Sequence, residues 1–193
     1  MAHLYMAADY QDMPWKNGGG STAQILIHPK DAGIDDFIWR ISLATIAEDG
    51  PFSSFPGIAR SLALVAGAGV DLHFSTRRVC LRPDGERLIS FDGADSVHAT
   101  LADGVTRDFN VMTRDVRAHH SCQIWQLHGA MEWRRNAPDT LIFVQSGQVQ
   151  CAWGQSSQRL REFDSLMLQA GDDARCQLMG EACLFIVELW ERA

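Results

Sequence analysis

Phe37-Ile-Trp-Arg-Ile-Ser-Leu43 alternates side chains with a period of two. On an extended strand Phe37, Trp39, Ile41 and Leu43 share one face, and Arg40 and Ser42 share the other. The same grammar recurs along the chain. Phe109, Val111 and Thr113 alternate with Asp108, Asn110, Met112 and Arg114. Leu62 to Val65 and Val70 to Phe74 flank Ala66-Gly-Ala-Gly69, a pattern that predicts a hairpin with a glycine-rich turn. Leu141 to Val144 and Val149 to Trp153 repeat it at a constant offset of 79 residues from the first pair. Asp49-Gly50, Asp84-Gly85, Asp92-Gly93, Asp103-Gly104 and Gly171-Asp172 supply turn signals. Few stretches hold a helical stripe, so many short strands predict an all-β sandwich or barrel.

The chain has 193 residues, 46% of them hydrophobic and 21% charged, enough for one sizeable domain or two small ones sharing a core. This composition excludes a wholly disordered protein. Its 17 basic and 24 acidic residues leave a formal net charge of −7, which disfavours broad contact with nucleic-acid phosphates. The five cysteines are odd in number and contain no C-x-x-C pair, so reduced, packed thiols are expected rather than a disulfide framework or zinc ribbon. No basic stretch followed by an apolar run opens the chain, and the longest apolar segment, Leu62 to Val70, is too short to span a bilayer. A cytoplasmic protein with neither membrane nor nucleic-acid partner is the expectation.

The seven histidines contain no H-x-H spacing, and His119-His120 point to opposite faces of a strand, so no protein-bound metal is expected. No Gly-x-Ser-x-Gly elbow is present. Pro14-Trp-Lys-Asn-Gly-Gly-Gly-Ser-Thr22 is glycine-rich without the terminal Lys-Ser/Thr of a phosphate loop. Its glycines serve either a chain reversal or a backbone that offers N–H groups to an anion. Trp15 beside Lys16 suits the rim of a site for a small carboxylate. The polar strand faces carry the strongest chemical signal. If Arg40, Ser42, Asp108, Asn110, Met112 and Arg114 turn inward, their polar groups must pair with one another or with a ligand, and Asp108 would orient Arg40, Arg60 or Arg114.

Four blocks, in order, resemble the signature of the HutD/Ves family: Pro14-Trp-Lys-Asn-Gly-Gly-Gly20, Trp39-Arg40-x-Ser42, Gly50-Pro-Phe-Ser-Ser-Phe-Pro-Gly57 with Arg60, and Asp108-Phe-Asn-x-Met-Thr-Arg114. Ala59 departs from the acidic residue the family commonly carries before that arginine, and the histidine–glutamate metal pattern of cupins is absent.

The resemblance implies a bicupin, two cupin-type antiparallel β-barrels of the RmlC-like kind, with a first barrel over residues 1–115 and a second over 116–193. The two are expected to pack as one compact unit in which strands can be exchanged. It further implies a ligand pocket in the first barrel lined by Trp15, Lys16, Asn17, Arg40, Ser42, Phe55, Arg60, Asp108, Asn110, Met112 and Arg114. Arg40, Arg60 or Lys16 would take the carboxylate, Asn17, Ser42 and Asn110 would supply neutral hydrogen bonds, and Trp15, Phe55 and Met112 would form apolar walls. The function implied is a cofactor-free binding protein or regulator of histidine utilisation, with a ligand such as urocanate or N-formylglutamate. The alternatives are a metal-independent isomerase- or epimerase-like enzyme using Asp108 as its acid–base group, and a Ves-type stress-response protein. An interaction module that dimerises through its outer sheets is a blander reading.

Overall fold

The computed structural model describes residues 1–15 and 18–192. Sixteen strands and one short 3₁₀ turn, Ala7–Asp9, make up its regular structure. In chain order the strands are β1 (His3–Tyr5), β2 (Gln11–Pro14), β3 (Gly20–His28), β4 (Trp39–Ile46), β5 (Gly50–Pro51), β6 (Ile58–Ala66), β7 (Val70–His73) and β8 (Arg78–Leu81). They continue as β9 (Leu88–Asp92), β10 (His98–Leu101), β11 (Thr106–Arg114), β12 (Ala118–Arg134), β13 (Asp139–Trp153), β14 (Ser156–Arg161), β15 (Ser165–Leu168) and β16 (Arg175–Glu191). No helix among the described residues is long and apolar enough to cross a membrane.

The chain divides into two compact units, Gln11–Ala118, and Met1–Tyr10 together with His119–Ala193. Position along the chain places residues 1–10 with the first half. Backbone pairing places them with the second, because β1 runs antiparallel to β15, His3 opposite Met167 and Tyr5 opposite Ser165. The Tyr10 hydroxyl adds a 2.8 Å bond to the Phe163 carbonyl.

In the unit Gln11–Ala118, one sheet has the order β2-β3-β4-β11-β6-β9 and another β5-β10-β7-β8. Leu62, Leu64, Ile89 and Phe91 of the first sheet pack with Val70, Leu72, Leu81 and Ala99 of the second in one buried cluster. The far face of the first sheet carries Trp39, Ile41, Leu43, Phe109 and Val111, all buried. A sheet buried on both faces cannot leave polar residues to bulk water, so those on its inner face demand a specific environment. The other unit is built on the sheet β1-β15-β13-β16-β12 with β14 paired to β13, and packs Ile142, Val144, Leu166, Leu184 and Ile186 into its core. None of the three sheets returns to its first strand, so the hydrogen bonding describes open sheets where closed barrels are expected.

Three local expectations are corrected. β6 and β7 do not form a hairpin: β6 pairs with β11 and β9, whereas β7 pairs with β10 and β8. Gly69, at φ +116°, lets the chain pass from one sheet to the other, and a Cβ there would lie 2.1 Å from the Leu81 carbonyl oxygen. Leu141 to Trp153 is likewise one strand, β13, with a register shift between Val144 and Ser146 rather than a reversal. Phe37 also leaves the face of Trp39. β4 begins only at Trp39, and Phe37 packs with Ile58 and Met112 on the opposite side.

Candidate functional site

Register builds the site. Met112 lies opposite Arg40 on β4 and Arg60 on β6, and Arg60 in turn opposite Phe91. Two residues along β11, Asn110 lies between Ser42 and Leu62, with Gln24 opposite Ser42. Two further, Asp108 lies between Ala44 and Leu64, with Thr22 opposite Ala44. Side chains two apart on a strand share a face, so these three rows look into one space. Pro14, Trp15 and Ile34, with the segment 51–55, complete a cavity of about 460 Å³, the size of a metabolite site.

Arg60 is the buried cation of this cavity, 5% exposed. Its guanidinium carbon lies 5.4, 5.6 and 4.9 Å from the ring centroids of Phe52, Phe55 and Phe91. Its Nη1 donates a long 3.5 Å bond to the Ser53 carbonyl, and its buried Nε has no hydrogen-bond partner. Burial lowers its pKa to about 10, with Asp108 opposing and Arg40 reinforcing the shift, so it remains charged at neutral pH. Arg40 is half-buried and donates from Nε to Gln24 Oε1 at 3.0 Å; desolvation lowers its pKa.

Asp108 is 1% exposed. Burial among apolar cross-strand neighbours raises its pKa to about 7, against the attraction of Arg60. Its Oδ1 and the Oδ1 of Asn110 are buried without a hydrogen-bond partner among the described residues. Arg60, Asp108 and Asn110, each with a buried polar atom that has no hydrogen-bond partner among the described residues, all line one cavity.

Trp15, Arg40, Ser42, Phe55, Arg60, Asp108, Asn110 and Met112 are brought together in the cavity wall. Lys16 and Asn17 lie outside the described residues. Arg114 is not in the wall. At the end of β11 its Nε bonds the Phe37 carbonyl at 3.0 Å and its Nη2 the Asp35 carbonyl at 2.6 Å, so it fastens the segment before β4. Asp108 orients no arginine by ion pairing: among the described residues no Lys or Arg nitrogen lies within 4.0 Å of its carboxylate, and Arg60 acts on it only at longer range.

Backbone hydrogen bonds tie Trp15 to the described glycines of its block. Gly18 N–H bonds the Trp15 carbonyl at 3.0 Å and Trp15 N–H the Gly20 carbonyl at 2.9 Å. A Cβ on Gly20 would lie 2.2 Å from the Thr45 carbonyl oxygen and 3.0 Å from the Trp15 ring. That close approach holds Trp15 in the wall, where its Nε1 donates to Thr22 Oγ1 at 2.8 Å. Among the described residues no three His, Cys, Asp or Glu side chains converge as a metal site.

Sequence reasoning missed Phe52 and Phe91, which ring Arg60, and Gln24, which holds Arg40. Phe52 stands inside the quoted Gly50–Gly57 block, and Gln24 follows Thr22 at period two; both signals were there to be used.

A family model described as HutD matches residues 7–186. An uncharacterised 21.2 kDa protein of the hutC 3′ region of Pseudomonas putida is 34% identical over 98% of this chain and 97% of its own. Protein Ves of Escherichia fergusonii is 38% identical over 55% of this chain and 56% of its own. The structure of HutD from Pseudomonas fluorescens SBW25, described as a formate condition, superposes with a TM-score of 0.85 at 33% identity over the whole of both chains. In fold alone, a cupin 2 conserved barrel domain protein from Leptotrichia buccalis is similar, with a TM-score of 0.61 at 10% identity over 97% of this chain and all of that one.

Proposed function

The chain belongs to the HutD family, and from that membership we propose that its cavity binds a small carboxylate metabolite and that the protein is an accessory or regulatory factor of histidine utilisation. The observation that carries this reading is Arg60, a buried guanidinium ringed by three phenylalanines with no acidic oxygen within 4.0 Å among the described residues. An unpaired cation in a low-dielectric wall is a site for an anion. The rows beneath it supply an amide and a carboxyl, so a ligand with an anionic end and a polar far end fits, urocanate and N-formylglutamate among them. The hutC-region name of the Pseudomonas putida relative supports the association with histidine utilisation. Each unit is read as a cupin-type barrel.

Calorimetry with urocanate, N-formylglutamate and histidine tests the proposal. Binding of at least one carboxylate, weakened by Arg60→Ala and by Arg40→Ala, is the expected result. No binding at millimolar ligand, or binding indifferent to both substitutions, overturns it.

One observation favours a second reading. Asp108, raised to about 7, is poised for proton transfer at neutral pH, as in a metal-independent isomerase. Turnover of a candidate metabolite followed by NMR and abolished by Asp108→Asn would establish it.

A further inference from the structure

This inference rests on the carboxylate-binding reading of the cavity and adds a proton to it. Among the described lining residues only Arg40, Arg60 and Asp108 are ionisable. Asp108 shares its sheet face with Arg40 and Arg60, which flank Met112 two rows along β11, and of the two only Arg60 acts on its carboxyl. The neutral Thr22 and Gln24 stand on β3, and the segment 51–55 contributes no titratable group. Its direct partners across the sheet, Ala44 and Leu64, carry apolar side chains, and among the described residues its Oδ1 has no donor. The long-range field of Arg60 is the interaction that favours its ionised form.

We infer that an anion seated on Arg60 draws a proton onto Asp108, so that carboxylate binding and protonation of Asp108 are linked. An anion at the guanidinium neutralises the charge that favours the ionised carboxyl. It also adds a like charge within the same cavity. Both effects act in one direction. By reciprocity, protonation of Asp108 strengthens anion binding by the same factor. Asp108 then serves as a gate on ligand charge: neutral it tolerates an anion and has an O–H to donate, ionised it repels one.

Formate is the probe, because it is a carboxylate with no polar far end and stays ionised throughout the range. Titrations at constant ionic strength are expected to show affinity falling about tenfold from roughly pH 6 to pH 8 in the wild type. Asp108→Asn should bind formate with no such slope, and Arg60→Ala should not bind it. Calorimetry of the wild type in two buffers of different ionisation enthalpy provides a readout that needs no variant: a net uptake approaching one proton near pH 8 is expected. Formate binding that requires Arg60 yet is pH-independent and proton-neutral overturns the linkage alone. A slope that persists in Asp108→Asn does the same. Absence of formate binding, or binding that survives Arg60→Ala, overturns the linkage, and the carboxylate reading falls with it only if urocanate, N-formylglutamate and histidine also fail to bind.

Discussion

Arg40 and Arg60 stand on opposite sides of Met112, each its direct partner across the sheet. Two guanidinium-bearing residues thus share one row, about 10 Å apart at the backbone by strand spacing. Arg40 rests on a neutral amide and Arg60 on aromatic rings. The row is therefore positive without an internal counter-ion among the described residues, although the chain as a whole carries −7. Local charge, set by register, decides what this cavity attracts.

Arg60→Met should remove carboxylate binding and leave the protein as stable as the wild type, or more stable by about 1–3 kcal/mol. An unpaired buried guanidinium is held at the expense of folding, and methionine fits among Phe52, Phe55 and Phe91. Urea midpoints of the two proteins check this; a clearly lower midpoint for the variant contradicts it.

Asp108→Asn should gain stability over the wild type as pH rises. The folded-state pKa of about 7 lies above the ordinary value of 3.8, so the folded protein holds this proton more tightly than the unfolded chain. The associated stability is complete below about pH 4, declines from there to about pH 7, and is lost above it. The variant's advantage, read from denaturant midpoints at several pH values, should therefore grow by up to roughly 4 kcal/mol between those limits. An advantage that does not change with pH refutes the assigned environment.

Gly20→Ala places a Cβ 2.2 Å from the Thr45 carbonyl oxygen, which β-sheet backbone cannot yield. A loss of about 2–4 kcal/mol is expected, together with displacement of Trp15 and weaker ligand binding. Tryptophan fluorescence alongside thermal unfolding separates the local from the global effect.

Arg135→Ala probes the other unit. Arg135 is 5% exposed, and its guanidinium donates to the carbonyls of Pro138 at 2.8 Å, Asp172 at 2.7 Å and Gln169 at 2.5 Å. Removing it leaves several buried carbonyls without a donor, for an expected loss of about 3 kcal/mol. Formate binding measured well below the unfolding transition should be unchanged. Binding lost in a folded Arg135→Ala protein would show that the cavity depends on this arginine.

Much of the cavity was legible because strand alternation is a local property. Arg40 and Ser42, or Asp108, Asn110 and Met112, share a face in any extended chain, whatever surrounds them. The glycines at 67 and 69 were legible only as a break. Whether the chain reverses there or crosses to another sheet depends on strands β8, β10 and β11, distant in sequence. Arg114 obeys the same alternation as Met112 yet leaves the cavity, because the carbonyls of Asp35 and Phe37 come within its reach.

The order of residues by itself determined an all-β chain, the faces of its strands and the family to which it belongs, since these follow from periodicity and motif. Tertiary structure alone decided that β1 joins β15, that three phenylalanines surround Arg60, and that Asp108 has no ion-pair partner among the described residues. Pairing, desolvation and field are set by groups brought together from far along the chain, and no local pattern encodes their distances.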